Sequence, residues 1–514
     1  MNTRPLRLGT RRSTLAWAQS LWVAERLRRL KPGVEVELVP IETRGDRITD
    51  VPLSSVEGKE FFTAELDSAL HNGRVDLTVH SLKDLSLKRP EGIALAAIPA
   101  RENSRDVIVF RGDVQQLIAA GRPLRIGTSA PRRIENVGPF LATALPSGGG
   151  ANVRMVEIRG NVDTRLGRLH EKGDRQLEGV VLALAGLIRL WRDERDDGGR
   201  ERLSRLLDGV KWMVLPLTEC PTAPGQGALA VECREDDPDT LSLLRALHDE
   251  TSGRQVDEER AVLARHGGGC HQKFGATCIN HPSCGSVLYV RGRGEKGEVL
   301  DYADWLTLPD PPSGPIRPWD GMRVREASFP DDTVRADMDA ALFMSEAPVF
   351  VAHSRALPLG SEERVASRRV WTTGTASWRR LAARGVWVEG CAEGLGFEWI
   401  LPTLDEAMLG LPSQDDWQIL THAAAIETWT RGQVIGTYAL PEAEATVIEN
   451  ATQVTHAFWA TGSQYRALGA QLPPSTHHAC GPGKTAELIR ASGARRLTVF
   501  PAVEEWRRWL RIEQ

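Results

Sequence analysis

The spacing of apolar positions along this chain switches repeatedly between the period of a strand and the period of a helix. Leu6 to Gly9 reads as a strand, and from Ser13 to Arg29 the residues Leu15, Ala18, Leu21, Trp22, Ala24 and Leu27 recur at helical spacing. Pro32-Gly33 stops that helix and Val34 to Ile41 is extended again, a β-α-β opening. A polar segment from Thr43-Arg44-Gly45-Asp46 to Lys59 follows, then a helix over Phe62 to Asn72 and a short buried strand, Leu77 to His80. Arg105 to Phe110 is a strand leaving this unit, so the chain is expected to cross to a second domain near residues 101–106.

The second unit repeats the pattern. Leu124 to Gly127 is a strand, and Thr128-Ser129-Ala130-Pro131-Arg132-Arg133 opens a helix with a hydroxyl near the cap and proline in the first turn. Val153 to Ile158 and Val180 to Leu184 are further strands. Arginines follow the strands at their C-terminal ends: Arg132, Arg133, Arg159, Arg165 and Arg189. Helix N-termini flanked by guanidiniums bind anions, so this repetition points to a polyanionic ligand. Trp212 to Leu217, then Pro224-Gly225-Gln226-Gly227 and Ala228 to Glu232, suggest a return to the first domain, with a cleft between two domains joined by two crossings.

From Asp237 the character changes. Helices are expected over Thr240 to His248 and Val256 to His266, then a glycine run into Cys270, then strands at Ser286 to Arg291 and Glu298 to Tyr302. This is a small α+β unit ending near residue 330. Prolines at 309, 311, 312, 315 and 318 mark a linker or long loop. Beyond residue 345 the pattern is α/β again. Two segments there look alike, Val370-Trp-Thr-Thr-Gly-Thr-Ala-Ser-Trp-Arg379 and Ala457-Phe-Trp-Ala-Thr-Gly-Ser-Gln-Tyr-Arg466, which suggests two related half-domains.

Composition narrows the classes. With 514 residues, three to five domains are expected; 41% hydrophobic and 26% charged residues are ordinary for a soluble protein. A net charge of −4 gives no reason to expect nucleic acid or an anionic membrane as partner. No apolar run approaches the ~20 residues of a membrane span, and no secretory h-region opens the chain. Seven scattered cysteines do not form a disulfide framework. A cytoplasmic, reduced protein is the expectation, and a monomer.

Two places carry candidate chemistry. Ser81, Lys83 and Asp84 stand at the C-terminal end of the strand Leu77 to His80, where open α/β sheets hold their ligands. Taken alone, Lys83-Asp84 reads equally as a surface ion pair; the arginines elsewhere give it a ligand to act on, with Asp84 serving in proton transfer or in stabilising a cation. Cys270, after Gly267-Gly268-Gly269, has three readings: a buried small hydrophobe, a metal ligand, or a covalent attachment point. Cys270, His271, Cys278, His281 and Cys284 match no common zinc spacing. A Walker loop and a dinucleotide-binding glycine fingerprint are both missing.

Eight ordered motifs carry a family resemblance. They are Arg7-Leu-Gly-Thr-Arg-Arg-Ser13, Thr43-Arg-Gly-Asp46, Gly58-Lys-Glu-Phe-Phe62, His80-Ser-Leu-Lys-Asp84, Gly127-Thr-Ser-Ala-Pro-Arg-Arg133, Arg159-Gly-Asn-Val-Asp-Thr-Arg165, Gly225-Gln-Gly-Ala228 and Gly268-Gly-Cys270. From Arg7 to about Tyr302 the chain resembles the porphobilinogen deaminases, also called hydroxymethylbilane synthases. The resemblance implies two domains like type II periplasmic binding proteins, 4–104 with 213–236 and 105–212, and a small α+β domain over 237–330 carrying the cofactor cysteine. It implies a dipyrromethane cofactor held by a thioether to Cys270, and a reaction in which four porphobilinogens are deaminated and joined on that primer before water releases the linear tetrapyrrole.

By position, Asp84 matches the catalytic aspartate. Ser81, Lys83, Thr128, Ser129, Arg132, Arg133, Asn161 and Gln226 match cofactor-binding positions. Arg11, Ser13, Gln19, Phe62, Arg159, Arg165 and Arg189 match substrate-binding positions. The chemistry agrees, because each pyrrole carries two carboxylates and guanidinium forks neutralise them. Ala130 departs from the family's usual second serine, and His271-Gln272-Lys273-Phe274 from its usual run after the cysteine.

Residues 345–514 resemble uroporphyrinogen-III synthase, through Phe458-Trp-Ala-Thr-Gly-Ser463 and Ala479-Cys-Gly-Pro-Gly-Lys-Thr-Ala486. This implies an α/β region that cyclises the linear product. Two alternatives stand beside the bifunctional enzyme: a deaminase with a structural or partner-binding C-terminal module, and a non-catalytic small-anion binding protein.

Overall fold

The structure, a computed structural model, describes residues 4–44, 63–146, 151–193, 195, 198–267, 272–322, 334–335, 346–439 and 447–511. The chain divides into two compact units, the first made of Met1–Ala142, Ala151–Cys278 and Leu288–Ala303, the second of Thr143–Gly150, Ile279–Val287 and Asp304–Gln514. Phe62 and the segment to Lys59 lie outside the described residues, as does Cys270.

In the first unit the strands run β1 (Leu6–Arg11), β2 (Val36–Ile41), β3 (Leu77–Ser81), β4 (Ile93–Ala97), β5 (Asp106–Phe110), β6 (Leu124–Thr128), β7 (Val153–Glu157), β8 (Gly179–Ala183), β9 (Lys211–Val214) and β10 (Leu229–Arg234). They form two five-stranded sheets, ordered β2-β1-β3-β10-β4 and β7-β6-β8-β5-β9. The two orders are one topology. In each sheet the first strand pairs parallel with the second and third, and one antiparallel strand lies beside the third. That antiparallel strand is the one next to a crossing, β10 on return and β5 on departure. The second sheet is one continuous stretch of chain, β5 to β9, whereas the first is completed only when the chain returns from it as β10.

The helix Thr14–Leu30 starts where Ser13 accepts a hydrogen bond from the Ala16 amide (3.3 Å) and buries the stripe Ala18, Gln19, Val23, Ala24 and Leu27. That stripe packs with Leu8, Leu77, Val79 and Val231. Each such side chain, fully buried, contributes about 1.5–3 kcal/mol. Because β1 and β3 are parallel neighbours, and β6 lies between parallel β7 and β8, the turns leaving these strands gather at one edge of each sheet.

The small α+β part has helices Pro238–Arg245 and Glu250–Arg265 and the sheet β11 (Lys273–His281), β12 (Gly285–Arg293) and β13 (Val299–Trp305), in that order. Phe274, Ala276, Cys278, Leu288, Val290 and Leu300 form its core with Val262 and Leu263. The sequence pattern yields no strand over β11, because its run is buried almost throughout and diluted by Gly275 and Ala276, so alternation is lost. Cys278 and Cys284 are buried thiols whose pKa is pushed up to about 12 by burial, which suits core residues and not metal ligands.

The second unit holds β14 (Pro318–Asp320), β15 (Val334–Arg335), β16 (Val349–Val351), β17 (Val370–Thr372), β18 (Gly390–Cys391), β19 (Gln418–His422), β20 (Gln433–Ala439), β21 (His456–Trp459), β22 (His477–Cys480) and β23 (Leu497–Val499). One sheet has the order β14-β21-β22-β23 and the other β15-β20-β19-β16-β17-β18. The look-alike segments provide β17 and β21, one in each sheet. The proline-rich stretch expected as a linker carries β14, paired parallel to β21 and tied to the last helix, Val503–Trp509, by Arg507 bonds of 2.9 and 2.7 Å to Asp320. The C-terminal region thus includes chain from residue 318, ahead of the expected boundaries at 330 and 345. Pro318 hid this strand, since proline is tolerated at a strand's first position but reads as a breaker.

At the return crossing Gly227 has φ +86°, and a Cβ there would lie 2.3 Å from the Glu102 carbonyl oxygen. Gly227→Ala is expected to cost about 2–4 kcal/mol from left-handed backbone strain plus overlap, read as a lowered midpoint in urea unfolding.

Candidate active site

The site begins with the burial of Leu82. β3 is buried as far as His80, and Leu82, wholly buried, opens a single 3₁₀ turn over Leu82–Asp84. The Leu82 amide donates to the Ala228 carbonyl (3.1 Å) and the Leu85 amide closes the turn onto the Leu82 carbonyl (3.1 Å). With Leu82 directed inward, Lys83 and Asp84 are left half-buried at the sheet edge. Gln19, buried on its helix, donates through Nε2 to Ser81 Oγ at 2.9 Å, so these two expected site residues meet.

The centre of the second sheet's edge is a carboxylate that sequence reading missed. Asp106, the first residue of β5, is fully buried and accepts from four side-chain donors. Arg132 Nη1 reaches its Oδ2 at 2.7 Å, Arg133 Nε and Nη2 reach Oδ2 and Oδ1 at 3.0 and 2.7 Å, and Gln226 Nε2 reaches Oδ1 at 2.8 Å. Burial alone would raise its pKa, but the two guanidiniums hold the carboxyl well below the usual range. Arg133 also donates Nη1 to the Val181 carbonyl (3.0 Å), and Arg132 donates Nη2 to Gln226 Oε1 (3.0 Å). Lys83 Nζ makes a long contact, 3.5 Å, to the same Gln226 oxygen. The expected anion binders Arg132 and Arg133 thus direct much of their donor capacity inward, and Gln226 joins Lys83 to them. The available signal was an acidic residue opening an otherwise apolar strand, Asp-Val-Ile-Val-Phe.

Burial pushes Lys83 down to a pKa of about 8, Arg133 and Arg132 push the same way, and Asp84 and Asp106 oppose them. Arg165 is lowered to about 10 by burial first, then by the charge of Arg133, against the pull of Asp84, with Arg159 adding further repulsion. Asp84, Lys83, Arg133, Arg159 and Arg165 therefore share one electrostatic neighbourhood. Arg159 Nε and Nη2 are buried and make no hydrogen bond among the described residues. Arg165 donates Nε to the Gly160 carbonyl at 2.8 Å. Uncompensated guanidiniums in partial burial suit an anionic ligand.

Other expected residues have structural duties. Ser13 and Asn161 cap helices, Asn161 accepting from the Thr164 amide (2.9 Å) and hydroxyl (2.8 Å). Thr128, buried, accepts from the Ala130 amide (3.2 Å), and Ser129 is half-buried in the same turn. Arg189 donates to the Gly227 carbonyl at 2.6 Å, and burial lowers its pKa to about 10. The charge of Arg11, at the end of β1, acts on His80.

The helix Glu250–Arg265, which leads toward Cys270, is fastened to the same loop. Buried Glu259 receives Arg101 through two bonds (2.6 and 3.0 Å), the Gly225 amide (2.6 Å) and the Cys278 amide (2.7 Å). Arg101 Nε also donates to the Gln226 carbonyl at 2.8 Å. Gln226 is thereby fixed by its backbone from one side and its side chain from the other.

Matched α/β sheets with interleaved crossings, and cations gathered beside one carboxylate at strand ends, define a class of α/β proteins built to hold anionic ligands. Residues 6–242 match the family model described as porphobilinogen deaminase, dipyromethane cofactor binding domain. The porphobilinogen deaminase of Syntrophotalea carbinolica is 43% identical over 277 residues, covering 54% of this chain and 79% of the relative. That of Streptococcus sanguinis is 40% identical over 310 residues, covering 57% and 92%. Among solved structures, the BenM effector-binding domain with its effector benzoate aligns over 50% of this chain and 93% of its own at 14% identity, with a TM-score of 0.25, too low to bear on the reading. The chain belongs to the porphobilinogen deaminase family. It carries that family's dipyrromethane cofactor binding domain, and porphobilinogen is the family's substrate. Among the described residues no helix is long and apolar enough to cross a membrane.

Two outcomes follow for the cluster. Asp106→Asn leaves two buried guanidiniums short of a counter-charge and is expected to destabilise the protein by about 3–5 kcal/mol, measured by urea unfolding. The depressed pKa of Asp106 stabilises the fold above the ordinary carboxylate range, and this gain is lost as pH falls below it. Lys83, with its pKa lowered to about 8, loses its charge as pH rises through that value. kcat/KM for porphobilinogen is expected to decline as pH rises through that value, and Lys83→Arg, charged throughout, is expected to flatten that limb.

Proposed function

We propose that the first unit is a hydroxymethylbilane synthase that deaminates four porphobilinogens, joins them head to tail and releases the linear tetrapyrrole by hydrolysis. The observation behind this reading is one carboxylate, Asp84, among cations: Lys83 beside it and Arg165 within reach of its charge. When ammonia leaves porphobilinogen, positive charge develops on the pyrrole and its methylene carbon. Asp84 can accept a hydrogen bond from the pyrrole N–H and stabilise that charge where it appears. Lys83, Arg159 and Arg165 hold the acetate and propionate groups, which fixes the ring against Asp84.

The residues fit a dipyrromethane group. Its four carboxylates match unpaired donors such as Arg159 Nε and Nη2. When bound, the group supplies the nucleophilic pyrrole carbon from which the chain grows. Cys270 is its attachment point in this reading, with Ser81, Lys83, Ser129, Arg132 and Arg133 on the cofactor side and Arg11, Gln19, Phe62, Arg159, Arg165 and Arg189 on the substrate side. Ser13, Thr128, Asn161 and Gln226 act by shaping the turns that carry these side chains. The domains follow as 4–104 with 213–236, 105–212, and a cofactor domain from 237 that ends before β14.

The C-terminal region we read as a uroporphyrinogen-III synthase-like module that cyclises the linear product. The supporting observation is its two α/β sheets, with chain entering one at β14, passing through the other from β15 to β20, and returning at β21. The turns after β21 and β22, parallel neighbours, bring helix starts at Gly462 and Lys484 to one edge.

Asp84→Ala is expected to fold normally and lose about 100-fold or more in kcat, measured by product formation from porphobilinogen; near-normal turnover would end the assignment. Intact mass should exceed the chain mass by two linked pyrroles, and the excess should vanish in Cys270→Ser. Wild type should yield type III uroporphyrin after oxidation; the type I isomer alone would remove the synthase reading.

A further inference from the structure

Behind the turn that carries Lys83 and Asp84 lies a buried ionic network that the proposed chemistry leaves unused. Arg89 comes five residues after Asp84, and its guanidinium turns back beneath the sheet. It grips Glu232 of β10 through Nε and Nη2, at 2.6 and 2.9 Å, and Asp67 of the helix Ala64–His71 through Nη2, at 2.6 Å. Glu232 Oε2 also lies 3.4 Å from Nε2 of His80, the last buried residue before Ser81. All four side chains are buried, with 0–11% exposure. Donor atoms of Asp67, His80 and Glu232 lie within 4.8 Å of one another, an arrangement that could hold a metal ion. The guanidinium of Arg89 already supplies positive charge to both carboxylates.

We propose that Arg89 is a positioning residue for the Lys83–Asp84 turn: it anchors the chain just after the turn to β10 and to the helix Ala64–His71. The anchoring is two-ended. Before the turn the chain is held by β3, paired with β10 through Ser81 opposite Leu229. After it, Arg260 donates Nη2 to the Ser86 carbonyl (2.8 Å), with a longer bond of 3.4 Å to that of Leu85, and Arg89 closes the segment onto Glu232. A turn of three residues between two such fixings has little freedom to move Asp84.

The same arginine governs charge. Glu232 and Asp67 together need a cation, and His80 is the other group able to become one. The groups facing His80 are Glu232 from β10, Arg89 from the segment after the turn, Arg11 from the end of β1 and, across Arg89, Asp67; Arg260 stands beside Glu232 and Arg89. Burial first, and then the charges of Arg89 and Arg11, lower the His80 pKa to about 3. Removing Arg89 leaves Glu232 facing the imidazole with less opposing charge, which moves the His80 titration upward. This inference rests on the reading of Asp84 as the cation-stabilising group.

The test compares wild type, Arg89→Met and Arg89→Lys by steady-state kinetics with porphobilinogen and by the ring-nitrogen NMR shifts of His80, assigned by their loss in His80→Asn. In Arg89→Met, kcat should fall at least about tenfold with KM within about threefold, and the His80 titration should move to higher pH than in wild type. Arg89→Lys should return the His80 titration toward wild type and restore only part of kcat, since it returns the charge without the fork. Arg89→Met with kcat within twofold of wild type, or with an unmoved His80 titration, overturns the proposal. If Arg89→Met fails to fold, Arg89→Met/Glu232→Gln removes the charge with its partner. That protein should fold with kcat still lowered, and wild-type kcat there is equally fatal. Asp84→Ala measured alongside separates the two ideas, because full turnover in it removes the parent reading while the His80 titration still reports on Arg89.

Discussion

The deaminase unit depends on one buried carboxylate at the point where its two sheets exchange chain. Asp106 opens β5, the strand that leaves the first sheet for the second, and it holds Arg132, Arg133 and Gln226 together with no exposure to water. Two guanidiniums cannot be buried side by side without an anion between them. Asp106 supplies that anion, and the donors not taken up by it remain oriented at the sheet edge. The cluster is consequently a structural tie beside Lys83, whose pKa is lowered to about 8 by burial first, with the charges of Arg133 and Arg132 adding to it and that of Asp106 opposing it.

The arginines divide their labour by what they touch. Arg89, Arg101, Arg132, Arg133 and Arg260 are bonded to carboxylates or carbonyls of the protein and fix loops. Arg159 has buried donors to offer, and the charged form of Arg165 is disfavoured by burial first and then by Arg133, so these two have most to gain from an incoming carboxylate. An excess of arginine over lysine fits both duties, since a planar fork can bridge two acceptors at once. Asp106 is taken up by Arg132, Arg133 and Gln226, whereas Asp84 stands half-buried at the sheet edge beside Lys83.

Glu259 extends the same logic to the small α+β part. By binding Arg101 and the Gly225 and Cys278 amides, it ties the helix leading to Cys270 to the loop that holds Gln226. The returning strand β10 makes this tie cooperative with the first sheet, which is not complete without the crossing that the loop belongs to.

The linear pattern determined a good deal. The β-α-β openings, both crossings, Asp84 at a strand end and arginines after β6, β7 and β8 all follow from residue order, because periodicity and turn chemistry are local. The eight motifs, read together, point to the family that the comparisons then established. What local pattern could not reveal was which charges meet. Asp106, Glu259, Arg89 and Glu232 are ordinary in sequence, and their partners lie 19 to 158 residues away. β11 and β14 were missed for a related reason: continuous burial erases alternation, and proline conceals a strand whose partner arrives 138 residues later. Sequence alone marked Lys83, Asp84 and the arginines as candidate groups, together with the strand ends that they follow. Only the tertiary structure decided which of those groups are neutralised within the protein and which remain for a ligand, because burial and pairing set the energy of a charge and both are properties of neighbours distant in the chain.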